Sequence, residues 1–165
     1  ADIKIFVRVY STPLRLILIG AVHVSQALIP MATLLGFEVT VIDPRSSFAS
    51  DERFPDVTMM TDWPDEAIRK LKPDPHTAVV TLTHDPKLDD PALKEVLPTN
   101  AFYIGSLGSK RTHASRLERL RAEGIDDETL SRVHAPVGLH LGGRRPAEIA
   151  LSIMAEIIQT LRLTA

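Results

Sequence analysis

Leu14-Arg15-Leu16-Ile17-Leu18-Ile19-Gly20-Ala21-Val22-His23-Val24-Ser25 decides the fold class. A short, nearly all-apolar run that ends in glycine is the pattern of a parallel strand buried on both faces. Helical spacing follows it, with Val24, Ala27, Leu28, Met31 and Leu35 on one face. Pro30 predicts a kink in that helix and Gly36 its stop. Strand, glycine turn and helix together open a βαβ unit.

Working outward, the alternation continues. Residues 37–42 read as the second strand, ending at Asp43-Pro44, and residues 45–55 read as loop. A short strand is expected over 57–60, then a helix capped by Asp62, with Pro64 near its first turn, running to about Leu71. Residues 77–82 form another apolar strand, Asp90-Pro91 opens a short helix to Leu97, and 101–104 is the next strand. Ser109 caps a long basic helix to Ala122, a short helix covers 127–132, and 133–136 is extended. Pro146 starts the last helix, where Ile149, Ile153, Ile157 and Leu161 form a stripe. Upstream, Ile3, Ile5, Val7 and Val9 alternate with Lys4, Phe6, Arg8 and Tyr10, which predicts an edge or lead-in strand before the break at Ser11-Thr12-Pro13. The expected architecture is α/β: a Rossmann-like, doubly wound, mostly parallel sheet in three α/β/α layers. It makes one domain over 1–165, with 1–13 as lead-in strand and linker.

Composition narrows the function classes. The chain has 165 residues, enough for one domain with a real core. It holds no cysteine, which excludes disulfides, thiolate metal sites and a cysteine nucleophile within it, and fits a reducing, cytoplasmic setting. The formal net charge of −2 gives no global reason to expect nucleic-acid binding. No stretch reads as a membrane span or a signal peptide.

Four loops carry the residue types of a ligand site. In the first, Gly20 makes the tight turn of a G-x-G-x-x-G fingerprint and Ser25 is small enough for the third glycine's role. Val22 occupies the space where a pyrophosphate should approach the backbone beside Ala21 and His23. Asp43 stands where an acidic residue holds a ribose 2′-hydroxyl, so an NAD(P) site and a Rossmann scaffold without dinucleotide both remain open. In the second loop, His84 and Asp85, with Lys87 after them, are placed to orient a ligand or move a proton. The plainer alternative is that Asp89 or Asp90 caps a helix and the rest is solvated.

In the third loop, Gly105, Gly108, Ser109, Lys110 and Arg111 lead into a helix N-terminus, where backbone N–H groups and the helix dipole favour an anion. Two cations in a first turn oppose that dipole, and a bound phosphate would explain them. The alternative is a solvated basic face continued by Arg116, Arg119 and Arg121. The fourth loop again sets glycines and cations before a helix: Gly142, Gly143, Arg144 and Arg145, with Glu148 as a cap. Together with Arg45, these loops bring cations toward one rim of the sheet, which points to a polyanionic small ligand. A metal pair at His84 and Asp85 is a lesser alternative, and no metal site is assigned from the sequence.

In order along the chain, Leu18-Ile19-Gly20-Ala21-Val22-His23-Val24, Val41-Ile42-Asp43-Pro44-Arg45, Leu82-Thr83-His84-Asp85-Pro86-Lys87-Leu88-Asp89, Tyr103-Ile104-Gly105-Ser106-Leu107-Gly108-Ser109-Lys110-Arg111-Thr112-His113, His134-Ala135-Pro136-Val137-Gly138 and Arg144-Arg145-Pro146-Ala147-Glu148 resemble the Rossmann domain of the XdhC/CoxI family. Those proteins are maturation factors of molybdenum hydroxylases such as xanthine dehydrogenase and carbon monoxide dehydrogenase. The resemblance implies binding of molybdopterin or the finished molybdenum cofactor, its protection during sulfuration, and delivery to an apo molybdenum hydroxylase. Without cysteine, the sulfur would come from a partner such as a cysteine desulfurase. A non-catalytic accessory role is expected, with a homodimer as a further expectation. Members usually carry glycine where this chain has Val22, and often a domain ahead of this one, so the chain reads as a fragment or a stand-alone version. The rivals are an NAD(P)-dependent oxidoreductase using Asp43 and an interaction module with a degenerate site.

Overall fold

The computed structural model describes residues 3–8, 11–50 and 52–164. Strands β1 (Leu14–Ile19), β2 (Phe37–Ile42), β3 (Thr58–Met60), β4 (Thr77–Thr81), β5 (Tyr103–Ser106) and β6 (Val133–His134) form one sheet in the order β3-β2-β1-β4-β5-β6. Every pairing is parallel. The order reverses between β1 and β4, and ligands of open α/β sheets bind beyond the strand ends at that point. The helices are α1 (His23–Leu34), α2 (Pro64–Leu71), α3 (Pro86–Val96), α4 (Lys110–Ala122), α5 (Asp127–Leu130) and α6 (Pro146–Leu163).

Alternation along β1 distributes the core. Leu16 and Leu18 pack on one face with Leu28 and Ala32 of α1 and Ile153 and Ile157 of α6. Ile17 and Ile19 pack on the other with Ala67 and Ile68 of α2, Leu93 and Val96 of α3 and Leu120 of α4. Both faces are covered from Leu16 to Ile19, which is why β1 is apolar over that stretch rather than alternating. Each fully buried aliphatic side chain contributes roughly 1.5–3 kcal/mol, and the sheet is the surface that all of them share.

Three sequence expectations change. Residues 3–8 form no strand: Ile3, Ile5, Phe6 and Val7 are 74–92% exposed, and the segment pairs with neither sheet edge. Alternation needs a partner strand to become structure, and among the described residues no strand of the sheet pairs with this segment; Val9 and Tyr10 lie outside the described residues. Asp62 does not cap α2, whose N-cap is Trp63; its carboxylate instead bonds Lys70. Finally, α3 begins four residues before the expected Asp90-Pro91, because Asp85 is the cap and Pro86 the first helical residue. Pro91 sits inside the helix, where it removes one N–H donor to the preceding turn.

Candidate functional site

Because the sheet is wholly parallel, the loops after β1, β2, β4, β5 and β6 all leave from one edge. Gly20 has φ +116°, and a Cβ there would lie 2.8 Å from Cγ2 of Thr83. The first loop therefore touches the loop after β4, and only glycine fits the contact. Ser25, fully buried, donates to the Gly20 carbonyl at 2.5 Å, so its small side chain closes the turn.

Asp43, also fully buried, accepts four hydrogen bonds. Ala21 N–H reaches Oδ2 at 2.8 Å, and Arg45 N–H reaches Oδ1 at 3.0 Å. The Arg45 guanidinium adds Nε to Oδ1 at 2.9 Å and Nη2 to Oδ2 at 2.8 Å. Burial alone would raise the Asp43 pKa, but the Arg45 and backbone donors outweigh it and hold the carboxyl below its ordinary range. Two carboxylate oxygens with four donors have no lone pair left for a ribose hydroxyl. Arg45 is itself stacked over Phe48, 4.2 Å from the ring centre. Arg53 donates to the Ala21 and Phe48 carbonyls and exchanges hydrogen bonds with Gln26, so the loop after β2 is tied onto the start of α1. Val22 is the N-cap of α1 without a side-chain cap bond, and His23 is exposed as the first helical residue.

The loop after β4 is built differently. His84 is exposed with φ +62°. Asp85 is committed to the helix: Oδ1 accepts the Lys87 N–H at 2.9 Å, and the Lys87 side chain is exposed. Asp89, one turn on and 1% exposed, receives the Thr83 hydroxyl on Oδ1 at 2.6 Å, while its Oδ2 has no partner. Burial pushes this carboxyl up to about 6, against the opposing Thr83 hydrogen bond and the positive charges of Arg116 and His84.

Arg116 faces the same region from α4 and is 2% exposed. Nη2 donates to the Leu107 carbonyl at 3.1 Å, whereas Nε and Nη1 have no partner. The expected solvated basic face is thus wrong for this residue: its spacing from Thr112 and Leu120 turns it inward. Neither Asp89 nor Arg116 was marked by sequence as a ligand residue. The available signal was the four-residue spacing from Asp89 to Leu93 and from Arg116 to Leu120, both buried.

Ser109 caps α4 as expected, accepting the Thr112 N–H at 3.1 Å. Its first two residues then part company. Arg111 joins His84, Asp89, Asp90, Arg116 and Arg119 around a groove of about 240 Å³ between α3 and α4. Asp90 and Arg119 close part of that groove with a two-pronged ion pair, 2.6 and 3.1 Å. Lys110 joins Leu107, Val137, Leu141, Gly142 and Arg144 around a wider cavity of about 580 Å³ beneath the loop after β6. So the structure brings Lys110 to Arg144 and Arg111 to His84, and separates the pairs by the start of α4.

The glycines divide as well. Gly105 is a core residue of β5, where a Cβ would meet Val137 at 2.6 Å, whereas a Cβ on Gly142 would meet open space. Gly108, φ +140°, turns the chain into α4. Glu148 accepts the Arg144 and Arg145 N–H groups at 2.9 and 3.0 Å and caps α6. Glu156 anchors the same loop, taking the Gly138 N–H at 2.9 Å and the Tyr103 hydroxyl at 2.5 Å. Among the described residues no three His, Asp or Glu side chains converge as a metal site would need, and no helix is long and apolar enough to cross a membrane.

Known proteins share this arrangement of elements. A solved structure described as a xanthine dehydrogenase from Bacillus halodurans superposes with a TM-score of 0.81 at 33% identity, over 94% of this chain and 45% of that one. The chain is 36% identical over 152 residues to a Bacillus subtilis strain 168 protein named as part of a probable xanthine dehydrogenase, covering 92% of this chain and 44% of that protein. It is 39% identical over 84 residues to PaoD of Escherichia coli strain K12, named a molybdenum cofactor insertion chaperone, covering 51% of this chain and 26% of that one. The chain therefore spans less than half the length of each of these relatives. Residues 16–157 match the XdhC Rossmann domain, and the chain belongs to that family.

Proposed function

We propose that this domain binds the molybdenum cofactor and passes it to an apo molybdenum hydroxylase of the xanthine dehydrogenase type, carrying it through sulfuration. One observation bears most of the weight: two cavities flank the start of α4, each with its own cation from that first turn. An elongated ligand with a phosphate at one end suits such a pair. Lys110 and Arg144, with the open backbone around Gly142, take the phosphate in the wider cavity. His84 and Arg111 stand at the mouth of the narrower groove for the other end. The name of the PaoD relative supports the choice of cargo.

Within this reading the chain is an accessory protein of the cytoplasm. It draws sulfur from a partner such as a cysteine desulfurase, since it has no cysteine of its own, and carbon monoxide dehydrogenase-type enzymes are further clients. The dinucleotide alternative is weakened by Asp43, whose lone pairs are taken by Ala21 and Arg45.

The test is titration of the chain with molybdenum cofactor released from a donor enzyme, alongside NAD and NADP. Saturable cofactor binding is expected, with Lys110→Ala combined with Arg144→Ala weakening it at least about a hundredfold and leaving the melting temperature unchanged. Equal affinity of variant and wild type would overturn the assignment.

A further inference from the structure

Asp89 and Arg116, which line the groove between α3 and α4, carry three buried polar atoms without partners: Oδ2 of Asp89 and Nε and Nη1 of Arg116. Both residues are at least 98% buried. The two charges do not satisfy one another, since none of these atoms has a hydrogen-bond partner. Buried polar groups in folded proteins are nearly always paired, and an unpaired carboxylate beside an unpaired guanidinium calls for something between them.

The pair also says what kind of group belongs there. A simple anion would suit Arg116 but would meet the Asp89 oxygen, and a cation would meet Arg116. A neutral, planar edge that carries hydrogen-bond donors next to an acceptor satisfies both at once. The volume agrees: about 240 Å³ is below the roughly 300–1,000 Å³ of sites for drug-sized ligands. The groove therefore takes one ring system rather than a whole cofactor.

We infer that the α3/α4 groove is a receptor for a 2-amino-4-oxopyrimidine edge, the edge shared by pterin and guanine. Asp89 Oδ2 accepts from the 2-amino group. Arg116 donates to the 4-oxo oxygen from one of its two free nitrogens, Nε or Nη1, which diverge across the guanidinium. Thr83 fixes the carboxylate by holding Oδ1, and the Leu107 carbonyl fixes the guanidinium by holding Nη2. Arg116 cannot swing to an exposed anion, because it is buried along its length. The choice of pterin over guanine as the source rests on the cofactor-carrier reading above; the recognition of the edge does not.

Fluorescence titration with 6-hydroxymethylpterin, which has no phosphate, tests the edge directly. Lumazine, with an oxo group in place of the 2-amino group, is the control ligand, and guanosine is the second source. Pterin is expected to bind saturably and lumazine at least tenfold more weakly. Asp89→Asn keeps the acceptor for Thr83 but puts an amide N–H₂ against the ligand's donors; it should weaken pterin at least tenfold with a melting temperature no lower than wild type. Guanosine binding more tightly than pterin would support the edge and assign it to a guanine nucleotide.

Equal affinity for pterin and lumazine, or an Asp89→Asn variant that binds pterin like wild type, would overturn the inference. So would inorganic phosphate displacing the pterin. The two proposals fail separately. A chain that holds whole cofactor without discriminating pterin from lumazine loses only this one. A chain that discriminates them but never retains the cofactor loses only the carrier reading.

Discussion

The loops after β1 and β2 and the loops after β4 and β5 leave the same edge of one sheet, yet they spend their polar groups differently. In the first pair, Asp43 is saturated by Ala21 and Arg45, and Arg53 bonds the loop shut against Gln26. In the second pair, Asp89 and Arg116 are as deeply buried but keep three atoms unpaired beside a groove. A buried charge with its partners inside the fold is a tie. A buried charge that faces a cavity without partners is prepared for a ligand. The half of the rim that carries the dinucleotide fingerprint in other Rossmann domains is here tied internally through Asp43 and Arg53, and the opposite half is the one to which the proposals above assign the ligand.

The largest effect should come from undoing the tie. Asp43→Ala leaves the Ala21 N–H and the partly exposed Arg45 guanidinium without their acceptor, which costs about 2–3 kcal/mol. Urea melts should show that loss, while ligand affinity per folded molecule stays within about twofold. A large fall in affinity with stability intact would mean that the first half of the rim is the receptor after all.

Removing the cations of the wide cavity should do the reverse. In Lys110→Ala with Arg144→Ala, each lost contact to a phosphate is worth about 1.5–3 kcal/mol, hence at least about a hundredfold in affinity. Both side chains are exposed, and Lys110 in the first turn opposes the α4 dipole. Calorimetry and thermal melts separate the two effects; a drop in stability instead of affinity would erase the contrast.

Asp89 predicts a pH signature. Burial raises its carboxyl from 3.8 to about 6, so the folded chain takes up a proton before the unfolded chain as pH falls. The cost of burying the carboxylate is present above about pH 6 and disappears below about pH 4. It amounts to at most about 3 kcal/mol. Asp89→Asn should remove it, making the variant more stable than wild type at pH 8 and no different at pH 4. Facing groups set the size of the gap: Thr83 and His84 from the loop, Asp90 on α3, Arg111, Arg116 and Arg119 on α4, and Arg45 across the rim. A stability gap that does not change with pH would sink the assignment.

Val22→Gly should have the smallest effect. It removes a half-buried side chain packed against the core and adds backbone freedom, for a loss of about 1 kcal/mol. No gain in dinucleotide binding is expected, because Asp43 and Arg53 keep the loop closed whatever stands at position 22. A clear gain by titration with NAD would reopen the first half of the rim as a site.

Much of this was legible in the residues. The apolar run at 14–19 ending in Gly20, the cap at Ser109 and Pro146 at the start of α6 are local signals, and each appears where expected because neighbours in the chain settle it. The strand reading of residues 3–8 failed because a strand is a relation between two segments, and periodicity describes only one. Asp85 and Asp90 exchanged roles for a similar reason: either could cap, and packing of Leu88, Ala92 and Leu93 into the core chose the earlier start.

The site divides along the same line. Which side chains stand at strand ends follows from spacing, so His84, Lys110, Arg111 and Arg144 could be named from the chain alone. Whether a charge there is a tie or a receptor depends on what lies opposite it. Asp43 meets Ala21 from 22 residues away, and Asp89 shares a groove with Arg116 of another helix. Hydrogen-bond saturation is a property of atoms brought together by the fold, so it was settled only when the sheet and helices were packed.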